Sequence, residues 1–118
     1  MAEWMFDRSG RVCLIFAGFC VRNINGSVVG WISESSVYAL SGSHIGWYDD
    51  GVIYDSSNRA LAFTASKTGS LPSVPELSST PGMPGFSVVP GRPGVSATPG
   101  MPGRGGWSSH DARSYFTA

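Results

Sequence analysis

Two histidines, a few aspartates and two cysteines are the residues of this 118-residue chain that could do chemistry. Acid–base or nucleophilic catalysis needs a nucleophile and a base brought within hydrogen-bond reach. His44 follows a turn, His110 lies far along the chain, and Asp49, Asp50 and Asp55 sit among Gly, Ser and Asn. Aspartate in such company ordinarily serves turn geometry. Asp7 and Asp55 are equivalent positions of a sixteen-residue repeat, but Asn23 and Ala39 fill the other two places, so a four-fold carboxylate ring for a cation is incomplete. Cys13 and Cys20 are too few for a zinc site, and no Gly-rich loop joins a strand to a helix to cradle phosphate. The expectation is no catalytic site, no metal and no cofactor.

The elements that must position these residues come from the repeat. Ser9-Gly10, Asn25-Gly26, Ser41-Gly42 and Ser57-Asn58 are sixteen apart, as are Cys13, Val29, Ile45 and Leu61, and Ile15, Trp31, Trp47 and Phe63. Internal repeats decide the architecture before any local reading does. In the clearest copy, Ile45-Gly46-Trp47 is followed by the turn Asp49-Asp50-Gly51 and then by Val52-Ile53-Tyr54. Two short β-branched and aromatic runs around a positive-φ turn read as a hairpin. Sixteen residues are too few for a propeller blade of roughly 40 or a helical repeat of about 33.

The chain opens on the second strand of a unit, since Met5-Phe6-Asp7 aligns with Ile53-Tyr54-Asp55, and the repeat ends on a first strand near Ala60–Phe63. Pairing the two half-units would close the sheet and remove its edges. The fold expected is all-β: eight short strands, as four 16-residue hairpin repeats, in a closed pseudo-four-fold ring over residues 1–66. The Leu14/Gly30/Gly46/Ala62 column is mostly small, as a tight axis requires. The Trp31, Trp47, Phe63, Tyr38 and Tyr54 positions are bulky and apolar. They read either as core packing or as the lining of an apolar face or channel. In the Phe6/Arg22/Tyr38/Tyr54 column, Arg22 is the one departure from aromatic.

Residues 67–106 are a different material. Their prolines pair as Pro72/Pro75, Pro81/Pro84, Pro90/Pro93 and Pro99/Pro102, each pair nine residues from the next. Three residues make one turn of polyproline II, so the prolines share a stripe, and Leu77, Phe86, Val95 and Arg104 mark another. Val88 and Ala97 break the glycine register that collagen needs. The readings are a disordered linker or a tail lying along its own ring, one nine-residue step per hairpin. The count of four favours the second. Met83, Phe86, Met101, Trp107, Tyr115 and Phe116 are its candidate docking side chains. Residues 107–118 read as an aromatic anchor, capped by Ser108 or Ser109, with Trp107, Asp111 and Tyr115 on one helical face. Pro-x-x-Pro also suits aromatic-grooved partner domains.

Gly46-Trp47 followed by Gly51-Val52-Ile53-Tyr54-Asp55, with Gly30-Trp31 and Val37-Tyr38 one period earlier, resembles the four-fold β-flower family. The tail ending in Gly106-Trp107-Ser108-Ser109 and Tyr115-Phe116 is similar to tails of that family. The first unit departs from the pattern, with Leu14-Ile15 for Gly-Trp and Arg22 for Tyr. The resemblance implies a shallow symmetric β-ring with an apolar centre and no established activity. A looser likeness to tubby and scramblase-type domains points toward lipids by fold analogy.

A formal net charge of zero leaves no nucleic-acid footprint. The longest apolar run, Val12 to Val21, is half of the roughly 20 residues a membrane helix needs. Glu3 and Asp7 spoil it as a secretion signal, so the location expected is cytoplasmic. Cys13 falls in an apolar column and reads as a buried thiol. The function expected is a small non-enzymatic module that takes an apolar or lipid-like ligand in the ring. The alternative is an interaction or assembly module that binds a protein partner, or a second copy, through its tail.

Overall fold

The computed structural model describes residues 2–65, 76, 77, 79, 80, 82–86, 88, 89, 91, 103, 105–110 and 112–116. Eight antiparallel strands follow one another around a ring: β1 (Glu3–Phe6), β2 (Val12–Phe16), β3 (Cys20–Arg22), β4 (Val28–Ser33), β5 (Ser36–Ala39), β6 (His44–Asp49), β7 (Val52–Tyr54) and β8 (Arg59–Thr64). Each pairs with its sequence neighbour, and β1 pairs with β8 through Met5↔Thr64 and Phe6↔Phe63. The ring therefore closes as the half-units at its two ends require. A ninth strand, β9 (Gly105–Trp107), lies parallel to β8, and a short helix α1 (Ala112–Tyr115) follows.

Two devices recur every sixteen residues. The first is the turn that joins successive units. The Asp7 carboxylate oxygen Oδ1 accepts the N–H groups of Ser9 and Arg11, Asn23 Oδ1 accepts those of Asn25 and Ser27, and Asp55 Oδ1 accepts those of Ser57 and Arg59. A short polar side chain that caps its own turn is a common reason for Asp or Asn there. Ala39 lacks such a side chain, yet its turn keeps the same backbone bonds, from Ala39 N–H to Ser43 and from Gly42 N–H to Ala39. Gly10, Gly26, Gly42 and Asn58 all hold positive φ at the same place, where β-branched residues are strained.

The second device is a β-bulge. The register shifts at Met5/Phe6, Val21/Arg22, Val37/Tyr38 and Ile53/Tyr54, opposite one unpaired residue each time. Those extra residues are Cys13, Val29, Ile45 and Leu61, one whole sequence column. A bulge sharpens local bend and twist, which a ring of only eight short strands needs in order to close. It also breaks strict alternation, so Cys13 and Leu14, or Leu61 and Ala62, both join the interior.

That interior draws on all eight strands. Met5, Leu14, Val21, Val37, Ile53 and Ala62 show no solvent exposure, and Ile45 and Tyr48 of β6 pack against them. Ala112 and Phe116, from beyond the ring, complete the same cluster. Gly30 explains how: a Cβ there would stand 2.6 Å from the Phe116 ring and 2.7 Å from the Tyr38 carbonyl oxygen. The small column thus admits a C-terminal aromatic on one side. On another side, at Gly46, it admits the Tyr54 carbonyl of the neighbouring strand.

Candidate functional site

The bulky aromatic positions do not gather around the axis. Trp47, Tyr54 and Phe63 belong to one cluster with Phe6 and Val52, while Trp31 and Tyr38 belong to another with Cys20 and Val28. All five are 5% exposed or less. A single channel lined by all five is not what forms, because the bulges and the pleat direct these columns away from the shared interior. The Trp31 indole N–H donates to the Leu40 carbonyl oxygen at 3.2 Å, so its polar edge is satisfied within the fold.

The histidines are equally dispersed. His44 packs edge-on against Tyr38 and Trp47, with ring centroids 5.5 and 4.7 Å away. Burial holds its pKa below the ordinary histidine value. His110 lies against Tyr115 at the C-terminal segment. Both cysteines are buried free thiols. Burial pushes the Cys20 thiol up against a smaller opposing pull from Arg22, which keeps it protonated and a poor nucleophile. Among the described residues no cluster of His, Cys, Asp or Glu is arranged to hold a metal.

A polar cavity of about 240 Å³ opens where the ring closes. Asp7, Arg8 and Ser9 of the first turn face Ser108, Ser109 and His110 across it, and none of the five aromatic candidates lines it. Beside it, buried Asp55 accepts the Ser108 hydroxyl on Oδ2 at 2.6 Å, and Ser108 Oγ accepts the His110 N–H at 3.1 Å. With Oδ1 capping its turn, Asp55 fastens the C-terminal segment to the fourth unit. The serine proton points to a carboxylate already engaged with the backbone, which is the geometry of a clasp and not of an activated nucleophile.

The tail candidates separate clearly. Trp107 is on β9, paired with Ala60 and 6.1 Å from the Phe63 ring. It does not share a helical face with Tyr115, because the helix covers only Ala112–Tyr115 and the preceding residues extend along β8. The Tyr115 hydroxyl accepts the Ser56 N–H at 3.0 Å and donates to the Ile45 carbonyl. Phe116 is buried over Gly30. Met83 and Phe86 are each 42% exposed. Met101, and every paired proline except Pro84, lie outside the described residues.

Between these points the tail meets the ring at its turns. The Glu76 carbonyl occupies the place a Cβ on Gly10 would fill, and the Gly85 carbonyl does the same at Gly26. The ring positions are sixteen apart and the tail positions nine apart. Next to the second contact, the Arg22 guanidinium lies 4.4 Å from the centre of the Phe86 ring and donates from Nη1 to the Gly26 carbonyl oxygen at 2.7 Å. Val89 packs against the Trp31 cluster. The Arg22–Phe86 pair, the Asp55–Ser108 clasp and the cavity are absent from the sequence reading. The first had a signal there, since Arg22 is the one non-aromatic of its ring column and Phe86 the one aromatic of its tail column.

Among known families, the model described as 4-fold beta flower protein matches residues 3–116. Neither the curated proteins nor the solved structures contain a match to this chain. No helix among the described residues is long and apolar enough to cross a membrane.

Proposed function

The chain belongs to the 4-fold beta flower family, and from that premise we propose that it is a non-enzymatic interaction module, a filled ring that presents its tail to a protein partner. One contrast carries this reading. The ring aromatics Trp31, Tyr38, Trp47, Tyr54 and Phe63 are 1–5% exposed, and the apolar side chains the ring does expose, Phe19, Ile24 and Leu40, sit singly at its turns and strand ends. By contrast, Leu77, Met83, Phe86 and Val88 follow one another along the tail at 37%, 42%, 42% and 92% exposed. Apolar side chains held out from a folded support are the usual material of interfaces. The tail backbone is tied to the ring at Gly10, Gly26 and β8, which lowers the ordering entropy lost on binding. A ligand inside the ring would have to displace Phe116 from Gly30 or open one of two closed aromatic clusters, so the apolar-ligand reading takes second place. Two buried free thiols suit a reducing compartment, and we place the protein in the cytoplasm.

Native mass spectrometry of full-length protein, gently purified from its own host, tests the proposal. A stoichiometric protein adduct or homo-oligomer that Met83→Ser and Val88→Ser together remove, at unchanged melting temperature, supports it. A small apolar mass that survives those substitutions but is lost on denaturation overturns it in favour of a ligand in the ring.

A further inference from the structure

The two contacts between tail and turns raise a problem of register. At each, a tail carbonyl fills the space left by a glycine of positive φ. Any nine-residue step of the tail carries such a carbonyl, so this backbone contact fits equally well if the tail slides by one step. The side chains beside it are not interchangeable. The ring column Phe6, Arg22, Tyr38, Tyr54 contains one cation, and the tail column Leu77, Phe86, Val95, Arg104 contains one aromatic. The structure brings those two together: Arg22 is 5% exposed, its guanidinium stands over the Phe86 ring, and its Nη1 holds the Gly26 carbonyl of the same turn.

We propose that Arg22 and the turn around Gly26 form a seat that reads the Pro-Gly-aromatic step Pro84-Gly85-Phe86 of the chain's own tail, and that this reading sets the register of tail on ring. A slip by nine residues would bring Leu77 or Val95 to Arg22, and neither has a π face to meet a guanidinium. A partly desolvated cation–π contact shifts such an equilibrium by roughly 2- to 30-fold. Arg22 suits the task because its planar cation stacks on the ring while its edge donates to the turn. The register decides which tail side chains point away from the ring, so the inference deepens the proposed interaction role. It rests on the tail being held by the ring, and it is measured with no partner present.

The experiment transposes the aromatic in full-length, isotope-labelled protein. In the parent chain, Gly26 is expected to show nuclear Overhauser contacts to Gly85 and Phe86. In the L77F/F86L double variant, the contacts of Gly26 are expected to move to residues 76 and 77 in most molecules, a shift of one nine-residue step. Adding R22Q, which keeps a hydrogen-bond donor and removes the cation, is expected to reduce the ratio of shifted to unshifted molecules by roughly 2- to 30-fold. Unchanged contacts to residues 85 and 86 in the double variant would overturn the inference and assign the register to β9 instead. A shift that persists undiminished with R22Q would overturn the role of Arg22. Melting temperature separates either result from failure to fold. A register that responds as expected in a protein that shows neither partner nor homo-oligomer would count against the interaction role alone.

Discussion

In the ring, every sixteen-residue unit sends side chains into one shared interior, so each unit's packing depends on the other three. In the tail, the contacts visible at Glu76 and at Gly85–Phe86 are made with two separate turns, and much of the described apolar surface stays in solvent. Both regions are periodic. Only in the ring does the period create a common core, because strands pair laterally and bulges bend them into closure. An extended segment has no internal hydrogen bonds and borrows its order from whatever it lies on. Damage to the ring should therefore be global, and damage to the tail local.

The largest effect is expected in the ring. Trp47→Ala removes a 3%-exposed side chain from the cluster of Phe6, Tyr54 and Phe63, and should cost about 3–5 kcal/mol. In a domain with so small a core this is most of the stability, so chemical denaturation should show an unfolded or barely folded protein. Phe116→Ala tests whether the C-terminal end belongs energetically to the ring. It empties the space over Gly30 and should cost roughly 3 kcal/mol. If the denaturation midpoint does not move, the C-terminal segment is an ornament and the comparison fails.

Asp55→Ala probes the clasp between the two regions. It strands the N–H groups of Ser57 and Arg59 and the Ser108 hydroxyl, at about 1–3 kcal/mol. Amide exchange should rise first at residues 57–59 and 108, and uniform acceleration across the ring would contradict a local clasp. Phe86→Leu should cost about 0.5–2 kcal/mol, the size of a partly desolvated cation–π contact. It should leave ring amide shifts unchanged except near Arg22 and Gly26.

The smallest effect concerns pH. Burial holds the pKa of His44 below 6.5 in the folded ring. The unfolded chain therefore takes up a proton first as pH falls below 6.5. Stability from this group is full above that value, declines below it and levels off under the folded pKa. Melting temperatures measured from pH 7.5 to 5.5 should drift down in the parent and drift less in His44→Phe. An equal drift in both would place the titration elsewhere.

The closed eight-stranded ring was legible because repetition is a property of the string: four copies sixteen apart, with half-units at the ends that only closure can pair. The turn aspartates were legible too, since an Asp or Asn followed by Gly at fixed distance has one common use. The site was harder to read. Residue type left Trp31, Trp47 and Phe63 readable either as core packing or as the lining of an apolar face or channel. The bulge at Cys13, Val29, Ile45 and Leu61 changes which columns face inward, and nothing in residue type announces a bulge. Trp107 misled for a related reason, since its four-residue spacing to Asp111 and Tyr115 is compatible with a helix. The stretch of β8 that β1 does not reach, Arg59 and Ala60, instead draws it into a strand.

The sequence by itself determined the repeat, the all-β class, the closure and the turns, because these depend on local backbone preference and on counting. Tertiary structure decided what fills the axis, which aromatics share a cluster, and which tail residue meets Arg22. Those outcomes depend on the bend of each strand and on the distance between segments remote in sequence, from Gly30 to Phe116 and from Asp55 to Ser108. Contacts of that kind form only when the whole chain has closed around them.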